Sequence, residues 1–385
     1  MPGIYLHIPY CSQKCTYCDF YFKISQNDKL DLLECMKKEI ESSNNYFNNN
    51  TIDSIYFGGG TPSVLNLNEI KNILNCINKN YSVDKNVEIT LEANPEDINL
   101  NLVKEYKKAG INRLSIGVQS FNDKELKFMN RSHNAQEAIN SIKIAQNEIK
   151  QISIDLIYGL PNQKLSDWES NLISLFKFNI DHFSAYALTI EKKTKLHYLV
   201  KSKQIKPICD DEATKQFELL QKLSQEHNFL HYEISNFCKT NKFSKHNLGY
   251  WTKNKYLGIG PSAHSFNGKV RKWNKPSNKT YISGVLNNLN YYDFEILKKN
   301  EIYNEYIYTS LRTIWGVDEM YLEQNFRFAY YKFFKKEIQK WISKKFVVKN
   351  KNKYILTNEG KKFADGISSD LFIINQEEIL KKYDS

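Results

Sequence analysis

Cys11-Ser12-Gln13-Lys14-Cys15-Thr16-Tyr17-Cys18 sets three cysteines at spacings of four and three, just after the short apolar run Ile4 to Ile8. Three thiolates this close on one loop can hold three corners of a cuboidal 4Fe-4S cluster, which leaves one iron without a local protein ligand. Zinc is the competing reading. A structural zinc site wants four closed ligands, usually two cysteine pairs, and here His7 would have to supply the fourth. Three unrelated buried cysteines are a poor account of such a dense cluster.

Outward from this loop, strand-like and helix-like segments alternate. After the apolar run at 4–8, Leu30, Leu33, Met36 and Ile40 make a helical stripe. Residues 52–57 read as a strand that ends in Gly58-Gly59-Gly60-Thr61-Pro62, and Ile70, Ile73, Leu74 and Ile77 as the next helix. Strands over 87–92, 113–118, 152–157 and 182–188 follow, with helices near 102–108, 124, 138 and 166–178 between them. Six such alternations predict an α/β fold with a parallel sheet and helices outside it, too few for a closed eight-unit barrel. Chemistry in such a sheet gathers at the carboxyl ends of the strands. Cys11, the glycines, Glu92, Gln119, Asp155 and Tyr186 all fall there. Beyond residue 200 the pattern changes. A helix over 211–227 and a strand over 231–234 precede a polar and aromatic segment, 245–266. Helices near 301–313 and 328–341 lead to a hairpin over 346–356 and a helix from Asn358. Helix, hairpin and helix in that order look like a winged helix.

The 385 residues suffice for one large domain and a smaller one. With 41 % hydrophobic and 25 % charged residues the balance is globular. No apolar run approaches the roughly 18 residues of a membrane span, and no signal peptide is visible. Three clustered and four scattered cysteines suit a reducing cytosol rather than a disulfide framework. The net charge of +11 is uneven: residues 241–385 carry 26 Lys and Arg against 14 Asp and Glu. A basic half can attract nucleic acid, anionic lipid or an acidic ligand, or be a solvated face in a Lys- and Asn-rich chain.

Gly58 to Pro62 is a glycine-rich turn without the Lys-Ser/Thr of a phosphate loop. Beside a Cys-x3-Cys-x2-Cys triad it resembles the glycine motif of the radical SAM superfamily. There S-adenosylmethionine (SAM) occupies the open iron, and an electron from the cluster cleaves its sulfonium. Tyr5-x-His7-Ile8-Pro9-Tyr10-Cys11, Tyr56 to Ser63, Glu92-Ala93-Asn94-Pro95, Ser115 to Phe121 and Asp155 to Pro161 narrow the resemblance to the oxygen-independent coproporphyrinogen III oxidase family. The resemblance implies that Cys11, Cys15 and Cys18 ligate the 4Fe-4S cluster and that Tyr5, Gly59 and Glu92 contact the cluster-bound SAM. In the oxidase, Gly60, Thr61, Gln119, Arg131, Asp155 and Ala187 would face a second SAM.

Three features point to the haem chaperone branch of that family. Phe20 stands where the oxidases carry a further cysteine, only ten residues precede Cys11, and His246-Asn247-Leu248-Gly249-Tyr250-Trp251 matches the branch's His-Asn-x-x-Tyr-Trp motif. Gly258 to Ser265 also resembles the family. A neutral imidazole at His246 is a good haem-iron ligand, and Tyr250 and Trp251 can stack on a porphyrin, with Lys and Arg for the propionates. His264 is the fallback ligand, and a histidine packed between domains is the plain alternative.

The expected architecture is a partial (β/α)6 radical SAM barrel over 1–200, an extension with the haem-motif segment over 201–290, and an α+β, winged-helix-like C-terminal domain over 291–385. The expected function is a cytoplasmic haem chaperone that binds a 4Fe-4S cluster, SAM and haem. Haem-acceptor proteins, respiratory ones among them, and a flavodoxin or ferredoxin as electron donor are the implied partners, and nucleic acid is not. The alternative is an oxygen-independent coproporphyrinogen III oxidase decarboxylating two propionates. A tRNA-modifying radical enzyme would use the basic half, but no further cysteine cluster supports it.

Overall fold

The computed structural model describes residues 2–48 and 50–383. Six strands run parallel in chain order: β1 (Gly3–Ile8), β2 (Ile52–Gly59), β3 (Val83–Ala93), β4 (Arg113–Gln119), β5 (Gln151–Tyr158) and β6 (His182–Ala187). Helices cross between them on the outside, at Lys29–Ser42, Leu67–Asn80, Leu100–Ala109, Ala135–Glu148 and Leu165–Phe176. Each strand divides its residues between two faces. The outer face (Ile4, Leu6 and Ile8 of β1, Leu114, Ile116 and Val118 of β4) is buried under the helices in one hydrophobic core. The other face carries Tyr5, Tyr56, Glu92, Ser115, Asp155 and Ser184, so the lumen is polar. Parallel register brings these into rows, with Tyr5 opposite Tyr56, Glu92 opposite Ser115 and Asp155 opposite Ser184.

Local chemistry fixes the helix starts. Asn66 with Glu69, and Asn134 with Glu137, each close a capping box. Each N-cap side chain contributes about 1 kcal/mol by satisfying N–H groups that have no intrahelical partner.

The sheet extends further than the sequence predicts. At the β6 edge lie two antiparallel strands, β7 (Leu230–Glu233) and β8 (Asn236–Cys238). At the β1 edge, β9 (Tyr256–Ile259) is parallel to β1, followed by antiparallel β10 (His264–Phe266), β11 (Val270–Asn274) and β12 (Tyr292–Ile296). The result is one open sheet of twelve strands. The stretch read as a polar, aromatic segment is thus partly sheet, and the last strand of this sheet ends at Ile296. Strands of three to five residues leave too little alternation to read.

A second hydrophobic core begins with the helix Lys299–Leu311 and includes Tyr303, Ile307, Tyr330, Phe334 and Tyr354. It holds β13 (Val317–Asp318), β14 (Val347–Asn350) and β15 (Lys353–Leu356) in the order 13-15-14, beside the helix Phe328–Ser343. Helix, hairpin and helix follow in the expected order. The C-terminal domain meets the barrel at β7, where the Ile314 amide donates to the Tyr232 carbonyl at 3.0 Å. Among the described residues no helix is long and apolar enough to cross a membrane.

Candidate functional site

A cavity of about 560 Å³ opens at the carboxyl ends of β1–β6. Cys11, Cys15 and Cys18 line it from the loop that follows β1. Contacts to a distant turn hold that loop. The Thr16 amide donates to the Met129 carbonyl at 3.0 Å, the Gln13 side chain to Asn130 O at 2.8 Å, and the Asn130 side chain back to Lys14 O at 2.7 Å. The Cys11 amide bonds Lys23 O at 3.0 Å and closes the loop's base.

The glycine turn forms the facing wall. Gly59 has φ +110°, a conformation that disfavours any side chain, and a Cβ there would lie 2.6 Å from the His7 ring. A Cβ on Gly60 would lie 2.7 Å from the Tyr10 carbonyl. Bare backbone therefore lines the cavity beside the thiols. The Thr61 hydroxyl donates to Cys11 Sγ at 3.4 Å and accepts from Asn94 Nδ2 at 3.1 Å.

Glu92, the penultimate residue of β3, lies between these groups. Its Oε1 accepts from the Tyr56 hydroxyl at 2.7 Å and its Oε2 from the Gly59 amide at 3.2 Å. Burial outweighs those bonds, and the Asp155 charge adds to it, so the carboxyl is pushed up to about 7. Asp155 is also raised by burial, against bonds from Ser184 and Ser115, the latter at 2.9 Å. Arg131 reaches in opposite. It donates to Cys15 Sγ at 3.4 Å, Asn94 Oδ1 at 2.6 Å and Gly117 O at 3.0 Å. Burial works against its charge, but neighbouring Tyr17, Cys15 and Glu96 more than offset that, so the guanidinium stays protonated. Among the described residues its buried Nε has no partner. Gln119, at φ +66°, and Ala187 complete the lining.

This donor set fits a thiolate-bound cluster with an amino-acid ligand. Three thiols share a wall with a fixed cation, bare backbone and a buried carboxylate face them, and a buried guanidinium N–H awaits an acceptor. Zinc with His7 as fourth ligand does not fit. His7 Nδ1 is bonded to the Tyr5 hydroxyl at 3.1 Å and Nε2 to the Tyr21 carbonyl at 3.0 Å. Among the described residues, no three His, Cys, Asp or Glu side chains are grouped to hold a single metal ion.

Of the residues expected at SAM, Gly59, Gly60, Thr61, Glu92, Gln119, Arg131, Asp155 and Ala187 all line the cavity, and Tyr5 does not. Tyr5 lies in the same row as Tyr56 and is stacked on it, with ring centroids 6.1 Å apart. Tyr56, Asn94, Ser115 and Asn247 also line the cavity; in the sequence they stand only as members of the quoted motifs, without a site role. The period-two pattern through Ser54, Tyr56 and Gly58 was the available signal for Tyr56.

The haem motif lies elsewhere. The helix Lys245–Trp251 plugs the lower lumen, and Glu88 caps its start by accepting from the Lys245 and His246 amides, each at 3.1 Å. His246 is buried. Its Nδ1 meets the Ser54 hydroxyl at 3.0 Å and its Nε2 the Tyr250 hydroxyl at 2.9 Å. Burial, with Arg113 nearby, lowers its pKa to about 3, so the ring is neutral. Iron ligation by His246 would break one of those bonds. Trp251 lies under the Arg312 guanidinium, 5.4 Å from its ring centroid, and not beside the cavity. His264 is exposed on β10, its ring 6.2 Å from that of Trp273.

A cysteine triad and a glycine cradle at the strand ends of a partial barrel define a radical SAM protein, and the sequence profile of the Radical SAM superfamily matches residues 5–172. The heme chaperone HemW of Buchnera aphidicola (from Acyrthosiphon pisum) is 34 % identical over 95 % of this chain and 96 % of its own. That of Bacillus subtilis is 30 % identical over 94 % and 96 %. The chain belongs to the HemW family within the radical SAM superfamily. The fold agrees with that of the Escherichia coli coproporphyrinogen III oxidase HemN, with a TM-score of 0.83 at 20 % identity over 97 % of this chain and 90 % of that one.

Proposed function

We propose that this protein is a haem chaperone that holds a 4Fe-4S cluster and SAM in the strand-end cavity, binds haem and passes it to acceptor proteins. The observation that carries the reading is the likeness to HemW over nearly the whole chain. Phe20 supports it. The side chain at the place of the oxidases' further cysteine is an exposed phenyl ring at the cavity.

Cys11, Cys15 and Cys18 hold the cluster. The Glu92 carboxylate accepts from the amino group of SAM beside the bare backbone of Gly59 and Gly60, and Arg131 offsets thiolate charge. When bound, the cluster supplies the electron that cleaves the SAM sulfonium. Haem is bound beside the barrel extension. Both nitrogens of His246 are committed, so exposed His264, next to Trp273, is assigned to iron in its place. Acceptors include respiratory haem proteins, a flavodoxin or ferredoxin supplies electrons, and the protein works in the cytoplasm.

The test is transfer. Haem-loaded protein is mixed with an apo-haem protein, and the Soret band of the acceptor is followed. The parent should transfer haem and His264→Ala should bind it more weakly. No binding of haem by the parent protein would overturn the proposal.

A further inference from the structure

We propose that His246 is a positioning residue of the SAM-binding wall, acting through the ring of Tyr56 on the carboxylate of Glu92. The inference rests on the reading that Glu92 faces cluster-bound SAM. His246 stacks on Tyr56, with centroids 4.9 Å apart and planes 25° from parallel. The Tyr56 hydroxyl donates to Glu92 Oε1 at 2.7 Å, and Glu92 Oε2 accepts the Gly59 amide at 3.2 Å. One chain of contacts thus runs from the plug to the bare backbone of the cradle. His246 lies outside the cavity, whereas Tyr56, Glu92 and Gly59 line it.

The neighbourhood is built for this stack. A Cβ on Gly3 would lie 2.4 Å from the Ser54 hydroxyl and 3.0 Å from His246 Nδ1. A Cβ on Gly58 would lie 2.9 Å from both the Tyr5 and Tyr56 rings and 3.2 Å from Glu92 Oε1. Two strands therefore give up side chains where the rings lie. Ser54, two residues before Tyr56 on β2, holds His246 Nδ1, so the strand that carries Tyr56 also sets the imidazole. Tyr250 holds the other nitrogen, and Glu88 fixes the helix start. With these three anchors the imidazole plane is fixed, and a fixed plane under Tyr56 removes the ring's freedom to swing its hydroxyl off Glu92. Offset stacking of this kind is geometrically selective, not merely apolar.

Two substitutions separate the ring from its hydrogen bonds. His246→Gln keeps polar atoms for Ser54 and Tyr250 but offers no ring, and His246→Phe keeps the ring and loses the bonds. In cluster-loaded protein, SAM is titrated, and its affinity and its effect on the EPR signal of the reduced cluster are read together. His246→Gln should bind SAM about five- to tenfold more weakly, with a smaller EPR response and unchanged iron and sulfide content. His246→Phe, with a ring but without the bonds that fix its plane, should bind SAM more weakly than the parent and more tightly than His246→Gln. Tyr56→Phe should weaken binding, and His246→Gln should add little on that background, because both act on one bond.

Parent-like SAM affinity in His246→Gln, beside weakened binding in Glu92→Gln, would overturn the inference and leave the Glu92 reading intact. Full additivity with Tyr56→Phe would also overturn it. Parent-like SAM binding in Glu92→Gln would overturn the Glu92 reading itself, and the inference with it.

Discussion

The upper and lower halves of the barrel lumen are lined by the same strands and yet are opposite in kind. Above, the inward row ends in bare glycine backbone, three thiols, a carboxyl pushed up to about 7 and a guanidinium nitrogen without a partner among the described residues. Below, the helix Lys245–Trp251 fills the space, and His246, Ser54, Tyr250 and Glu88 bond one another. The contrast separates a place prepared for a ligand from one already filled. Unfilled hydrogen-bonding capacity at a concave site invites a guest, and a satisfied buried network rigidifies its surroundings.

The contrast breaks most simply at the cysteines. Replacing Cys11, Cys15 and Cys18 by Ala should abolish iron and sulfide loading and the iron-dependent visible absorbance. Cluster content surviving that change would move the site elsewhere.

Glu92 sharpens it by pH. Its folded pKa of about 7 lies above the unfolded value near 4.5, so the folded state binds the proton more tightly. Stability therefore falls as pH rises from about 4.5 to about 7, by on the order of 3 kcal/mol for a group this buried. SAM binding needs the charged carboxylate and should strengthen over the same upper range. Glu92→Gln should flatten both dependences, as denaturant midpoints and SAM titrations at several pH values would show.

Gly59→Ala tests the cradle. The positive φ and the approach to His7 should cost about 2 kcal/mol of stability, read as a lower unfolding midpoint, together with loss of SAM binding. Smallest is the outer clamp of the plug. Arg312 lies over Trp251 and Tyr308, at 5.4 and 5.1 Å. Arg312→Ala should cost about 1 kcal/mol in thermal or denaturant unfolding and leave cluster loading unchanged.

The sequence made the upper half legible because its signals are local. Thiol spacing, glycines after a strand and polar residues at strand ends each survive without knowledge of distant contacts. Arg131 and Ala187 came only through resemblance, since neither carries a local mark. The lower half was not legible in the same way. An imidazole four residues from a tyrosine reads equally well as a haem grip or a plug. Ser54 and Glu88, which hold this segment in the barrel, lie more than 150 residues away in the chain. Asn247, from the same motif, does line the cavity, so the helix touches both halves. The short strands β9–β12 escaped for the same reason, because their pairing and not their pattern makes them sheet.

The most direct test of the account is a side-by-side measurement on one batch of anaerobically reconstituted protein, with haem in one arm and coproporphyrinogen III, SAM and reductant in the other. The account predicts a Soret band that titrates with haem and no protoporphyrinogen. Protoporphyrinogen formation without haem binding would contradict it.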